Sequence, residues 1–258
     1  MDLKLKGKVA IVLAASKGLG KAIATSLSAE GALVVIGSRN GAELDSTAEK
    51  ISSITGNEVI AVATDVSNAE ETDALVTATI ERFGRIDILV NNSGGPTFDK
   101  FENFGDDDWQ QAFDLTLKSF VRLSRLALPY MKEAGSGRII NIIGSSVKSV
   151  LDNSVLSTSM RMGVVGMAKL LADEAGPFGI TVNNVAPGTI LTDRLKHTMP
   201  KDIDLDQALT DRAKNIPLRR IGKPEELAAL VTFLASEQAA YISGATIQVD
   251  GGANRGIF

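Results

Sequence analysis

Between an apolar run and an amphipathic one lies Ala14-Ala15-Ser16-Lys17-Gly18-Leu19-Gly20, an arrangement suited to binding phosphate. Glycines let the main chain approach a pyrophosphate, and the first turn of the following helix offers free N–H groups and the positive end of its dipole. Glycines also serve tight turns that hold no ligand, so the loop takes its meaning from its surroundings. The second apolar run ends Gly37-Ser38-Arg39-Asn40, with no acid before Glu43. A carboxylate at that point would grip the ribose hydroxyls of NAD. Ser38 instead leaves room for a 2′-phosphate, Arg39 can pair with it through two N–H groups, and Lys17 would be a second cation on the same group. Surface lysines and arginines are commonly no more than solvated charges. With the acid missing as well, the pattern favours NADP(H) over NAD(H).

Other chemistries are closed to this chain. It has 258 residues, no cysteine and a single histidine, His197. Disulfides, thiolate catalysis, iron–sulfur ligation and a zinc site of several imidazoles are thereby excluded, and no metal is expected. A net charge of −4 with no Lys/Arg-rich block argues against a nucleic-acid partner. No apolar signal core opens the chain and no run approaches membrane-spanning length. The expectation is a cytoplasmic protein, with no membrane partner, acting on a small molecule.

The elements that must position these residues follow from periodicity. Val- and Ile-rich runs at Val9–Ala14, Leu33–Ile36, Val59–Ala63, Ile86–Val90, Arg138–Ile143, Thr181–Val185 and Ala245–Val249 read as strands covered on both faces. Helical patterns separate them at Gly20–Glu30, Leu44–Ile54, Ala69–Phe83, Asp107–Lys132, Val164–Ala175 and Pro224–Ala235. The alternation predicts an α/β fold, a single domain over residues 1–258, with a doubly wound parallel sheet of about seven strands. The least regular stretch, Thr189–Pro217, polar and interrupted by Pro200, is either a substrate loop or a plain surface excursion.

Over essentially its full length the chain resembles the short-chain dehydrogenase/reductase family, with 3-oxoacyl-carrier-protein reductases and sugar dehydrogenases among its nearest types. Gly18 and Gly20 match the family's glycine loop, with Leu13-Ala14 in place of Thr-Gly. Asp65-Val66 resembles the adenine-contacting pair. Asn91-Asn92-Ser93-Gly94 resembles the family's Asn-Asn-Ala-Gly. Asn184-Val185-Ala186-Pro187-Gly188 resembles the Pro-Gly turn beside the nicotinamide, with Thr189 and Thr192 available to its carboxamide. The resemblance implies a Rossmann fold and an oxidoreductase.

It also implies a catalytic Asn, a Ser and a Tyr-x-x-x-Lys pair, in which the lysine lowers the phenol's pKa and grips the nicotinamide ribose. Here the pair falls on Ser157 and Arg161, placed by Gly163 and Gly166, and the Asn position holds Thr116. Ser145 matches the serine. Lys148, three residues on, either replaces the missing cation or is a solvated loop charge. The chain has only two tyrosines, Tyr130 and Tyr241, both matching non-catalytic parts of the family.

Two functions stay open at this point. One is an NADP(H)-dependent oxidoreductase in which Ser145 bonds the substrate oxygen, Arg161 holds the ribose, and Ser157 or Lys148 manages the proton. The other is a protein that binds NADP(H) without turnover, for sensing or assembly. Reduction or isomerisation of an activated C=C bond is a third, weaker reading. The resemblance further implies a homotetramer, with specificity in Gly95–Phe104, Lys148–Leu156 and residues 189–217, where Phe98, Phe101, Leu151, Leu191 and Met199 suggest a partly apolar pocket.

Overall fold

The computed structural model describes residues 1–197 and 204–256, leaving the side chain of His197 outside. Met199 and Pro200, which the sequence places near a substrate loop, lie outside the described residues. Seven strands form one sheet: β1 (Val9–Leu13), β2 (Leu33–Ser38), β3 (Val59–Ala63), β4 (Ile88–Asn91), β5 (Gly137–Ile142), β6 (Ile180–Pro187) and β7 (Thr246–Val249). All pairings are parallel and the order is β3-β2-β1-β4-β5-β6-β7. Strand order reverses between β1 and β4. Connections leave these neighbours in opposite directions, which opens a crevice at their C-terminal ends.

Successive β1 residues feed opposite layers, because side chains alternate along a strand. Ala10 and Val12 pack with α1 (Gly18–Ala29), α2 (Gly41–Thr55) and the late helix of residues 224–235. Ile11 and Leu13 pack with α3 (Ala69–Phe83) and with two helices, of residues 119–134 and 155–175, on the opposite face. Local chemistry sets the helix ends. Asn40 caps α2 by accepting the Glu43 N–H, and Asn68 caps α3 by accepting those of Glu70 and Glu71. Both helices stop at left-handed glycines, Gly56 and Gly84, where a side chain would be strained.

Three segments differ from the pattern reading. The long middle helix is broken: α4 (Asp106–Ala112) passes through a wide π turn at Phe113–Lys118 into α5 (Ser119–Ala134). Helix α6 spans Val155–Ala175, beginning nine residues before the apolar periodicity shows it, because Ser157, Thr158 and Ser159 are weak helix formers held by tertiary packing. Within 189–217 the chain is not simply irregular. It forms α7 (Asp193–His197) and α8 (Leu205–Lys214), the latter capped by Asp204. The final helix, α9, is Pro224–Ala235.

One stretch, Val155–Phe178, is in fact long and apolar enough by composition to cross a bilayer, contrary to the sequence reading. Here Leu156, Val164, Ala168 and Ala175 are buried, and α6 packs along β6, the position of a core helix of the α/β layer.

A chain of buried amides crosses the sheet. Asn91 Nδ2 donates to Asn141 Oδ1 (2.9 Å), Asn141 Nδ2 to Asn184 Oδ1 (3.0 Å) and Asn184 Nδ2 to Thr246 Oγ1 (3.1 Å). The four residues are register partners on β4, β5, β6 and β7. Asn141→Ala would orphan a donor on one side and an acceptor on the other. Such a loss costs about 2–4 kcal/mol, so a urea midpoint unchanged from wild type would contradict the amide chain's structural role.

Candidate functional site

The crevice between β1 and β4 holds a cavity of about 610 Å³, within the range usual for ligand sites. Ala14, Ser16, Lys17, Gly18, Leu19 and Gly20 form one wall. A Cβ on Gly20 would fall onto the Ala14 carbonyl, so only glycine permits this tight approach of loop and helix. Gly18 has φ +57 and Ala14 φ +49. Glycine tolerates that region freely; alanine does not. No side chain caps α1 and its first turn has no acid, so its opening N–H groups and dipole face the cavity unopposed. Thr47 Oγ1 donates to the Ser16 carbonyl (2.8 Å) and holds the loop against α2.

At the end of β2, Ser38 and Arg39 line the cavity. Ser38 Oγ donates to Ser16 Oγ (3.3 Å), joining the two phosphate-facing segments. Arg39 makes no ion pair among the described residues. Lys17 departs from its expected place: its ammonium lies 3.7 Å from Glu43 in the first turn of α2, both side chains well exposed, so its charge is shared with that acid. Asp65 also departs. Its carboxylate does not line the cavity but accepts from Ser67 N–H (2.9 Å) and Ser67 Oγ (2.6 Å). Burial works against its charge, but the Ser67 bonds and the Arg39 charge outweigh it and hold the carboxyl below its ordinary range. Val66 does line the cavity, and with it Thr64, which carries no sequence signal.

From β4 come Asn92, Ser93 and Gly94. Asn92 Nδ2 donates to the Leu13 carbonyl (3.2 Å), tying the two diverging strands at the crevice. Ser93 Oγ is buried and without a hydrogen-bond partner, which points to a ligand or water that would satisfy it. Pro187, Gly188 and Thr189 lie off the cavity wall. A Cβ on Gly188 would come within 2.5 Å of Asp250 Cβ, so this glycine serves a close approach of backbones behind the site. Thr192 reaches the cavity and packs over Gly18.

The four candidate catalytic residues stand beside the cavity rather than on its lining. Ser145 opens the short 3-10 turn after β5, and Lys148 is exposed at that turn's end. Ser157 and Arg161, one turn apart on α6, are both buried, and Arg161 Nε donates to Ser157 Oγ (3.1 Å). Arg161 Nη1 donates to the Ile142 carbonyl (2.9 Å). No carboxylate pairs with this guanidinium among the described residues. Burial first, and the charge of Arg194 second, lower its pKa to about 10, which leaves it charged at neutrality. Thr116, inside the π turn, is fully buried with its hydroxyl unpartnered. Gly95, Pro96, Thr97, Leu156, Asp193 and Arg194, on the cavity wall, fall within the segments expected to hold specificity, whereas Asp108, Gln111, Ala112 and Leu115, also on the wall, carry no sequence signal.

The family described as enoyl-(acyl carrier protein) reductase matches residues 13–254. The chain is 38% identical over 252 residues to 3-oxoacyl-[acyl-carrier-protein] reductase FabG of Vibrio cholerae, covering 97% of this chain and 98% of that one. It is 39% identical over 254 residues to the 3-oxoacyl-[acyl-carrier-protein] reductase of Synechocystis sp., covering 96% and 97%. Among solved structures, L-sorbose reductase from Gluconobacter frateurii, complexed with NADPH and L-sorbose, superposes with a TM-score of 0.96 at 33% identity over the whole of both chains.

The left-handed alanine yields a stability prediction. Ala14→Gly removes a side-chain strain of about 1–2 kcal/mol and adds unfolded-state entropy worth about 0.4–1 kcal/mol. The net gain is about 0.5–1 kcal/mol, a rise in Tm of roughly 1–4 °C. Thermal denaturation showing a lower Tm for the glycine variant would contradict the strain.

Proposed function

The chain belongs to the short-chain dehydrogenase/reductase family, and from that premise we propose that it is an NADP(H)-dependent oxidoreductase that interconverts a carbonyl and an alcohol with altered proton delivery. The observation that carries the reading is the end of the cavity suited to phosphate. A glycine turn approaches through backbone alone, an uncapped helix start faces inward, and Ser38 and Arg39 stand where an NAD-selective fold places an acid. The solved relative with NADPH bound supports the same choice of cofactor.

When bound, the cofactor supplies or takes a hydride at the substrate carbon; the chain's own residues must manage the oxygen and its proton. In this reading Ser145 donates a hydrogen bond to the substrate oxygen. Arg161 supplies fixed positive charge for a growing alkoxide and N–H groups for a ribose hydroxyl, but at a pKa of about 10 it keeps its own proton near neutrality. Ser157, already accepting from Arg161, positions a water that delivers the proton. Lys148 remains a second route only if it turns inward from its exposed position. A positioned general acid is worth about 10²–10⁴ in rate, whereas holding hydride donor and acceptor together can supply about 7–11 kcal/mol. Loss of the phenol therefore slows the reaction without removing its main source of acceleration.

A second reading, NADP(H) binding without turnover, is favoured by the missing phenol. Tyr241 is fully exposed and Tyr130, on α5, packs against the core; neither lines the cavity, so neither replaces it. The readings part on two measurements. NADPH should bind more tightly than NADH, and Arg39→Leu should weaken NADPH by about 10–100-fold while leaving NADH within about threefold. NADPH oxidation should be seen with at least one member of a carbonyl panel; tight binding with no oxidation would establish the second reading instead.

The assembly proposed is a homotetramer packed through α5 and α6. Val121, Met162 and Leu170 are exposed on these helices, an apolar surface that a second copy would cover. Light scattering should give about four times the 27.2 kDa chain mass, and Met162→Glu should reduce it; a wild-type monomer would overturn the assembly.

A further inference from the structure

Among the described residues, a second cation of the cavity wall stands without an acid. Arg194, on α7, lines the cavity and is exposed. Its guanidinium lies flat against Gly95, where a Cβ would come within 2.5 Å of Nη2 and 3.0 Å of Cζ. It donates to the carbonyls of Gly95 (3.2 Å) and Pro96 (3.4 Å) and sits 5.9 Å from the Phe98 ring centroid. These contacts position the group but are long and neutral, and they leave its charge uncompensated. The two acids of the same wall are engaged elsewhere. Asp108 Oδ2 accepts the Gly105 N–H (3.0 Å), and Asp193 pairs with Lys196 (3.5 Å). Arg161, near enough to feel the charge of Arg194, likewise pairs with no carboxylate among the described residues.

Two guanidinium groups that repel each other in a partly desolvated site are stable only at a cost. An anion between or beside them removes that cost and gains charge-assisted, bidentate hydrogen bonds. A dinucleotide carries its phosphates at the glycine turn and Arg39, and its nicotinamide end has no negative charge to offer. From this placement, and resting on the functional reading above, we propose that the substrate is a small oxo acid, its carboxylate held by Arg194 while its carbonyl oxygen lies toward Ser145 and Arg161. Leu115 and Leu156, on the same wall, would pack on the few carbons between the two groups.

The test uses the full chain saturated with NADP⁺, so that no reduction disturbs the equilibrium. Pyruvate, acetoacetate and levulinate are titrated by calorimetry beside their methyl esters, which keep the carbonyl and lose the charge. The best-bound acid should bind at least about 10-fold more tightly than its ester. Arg194→Met should bring that ratio to within about twofold of one, and Arg194→Lys should retain part of it. Equal binding of acids and esters in the wild type, or a preference that survives Arg194→Met, overturns the anion site. If Arg194→Met weakens NADP⁺ and leaves the acid-to-ester ratio unchanged, Arg194 serves the cofactor phosphates and the proposal is wrong. Failure of NADP⁺ to bind at all overturns the functional reading, and the oxo-acid site with it.

Discussion

The buried amide chain from Asn91 through Asn141 and Asn184 to Thr246 fixes the register of four neighbouring strands. In a parallel sheet covered on both faces, apolar side chains point both ways, so hydrophobic alternation specifies register weakly. Amides at matched positions restore that specification, because a slip by one residue would leave several buried polar groups without partners. The consequence reaches the site directly. Asn92 follows the first amide, the Gly144–Ser145 turn follows β5, and the segment carrying Thr192 and Arg194 follows β6. Their mutual placement rests on the register of those strands.

On that platform the cavity gathers positive groups: backbone N–H groups, an uncapped helix start, Arg39 and Arg194 line it, while Arg161 lies off its lining. Backbone donors are fixed by the fold and need no side-chain ordering, which suits a phosphate cradle. The left-handed Ala14 belongs to this cradle: the turn keeps its shape with a residue that resists it, and the surrounding contacts, such as the Ala15 N–H to Gly37 carbonyl bond (3.2 Å), must hold it there.

The Ser157–Arg161 pair changes what the site can offer. A phenol beside a lysine is an acid that can release a proton; a hydroxyl beside a guanidinium is a positioned dipole next to a permanent charge. Such a site stabilises negative charge on oxygen well and moves protons poorly. The altered proton delivery we propose rests on that exchange of chemistry.

By itself the sequence determined the alternation of strands and helices, the phosphate-facing turn and the missing acid after β2. These are local patterns of apolar period, glycine and charge, and they survive in any context that folds. The family resemblance also set Ser157 and Arg161 at the positions of its Tyr-x-x-x-Lys pair, and the two side chains are hydrogen-bonded. The tertiary structure alone decided that Asp65 turns to Ser67 and Lys17 toward Glu43, that Gly188 answers to Asp250, and that α6 begins at Val155. It alone brought Thr64, Leu156 and Arg194 to one wall. Those outcomes depend on which polar partner lies nearest once distant segments are packed, and no sequence period encodes that distance.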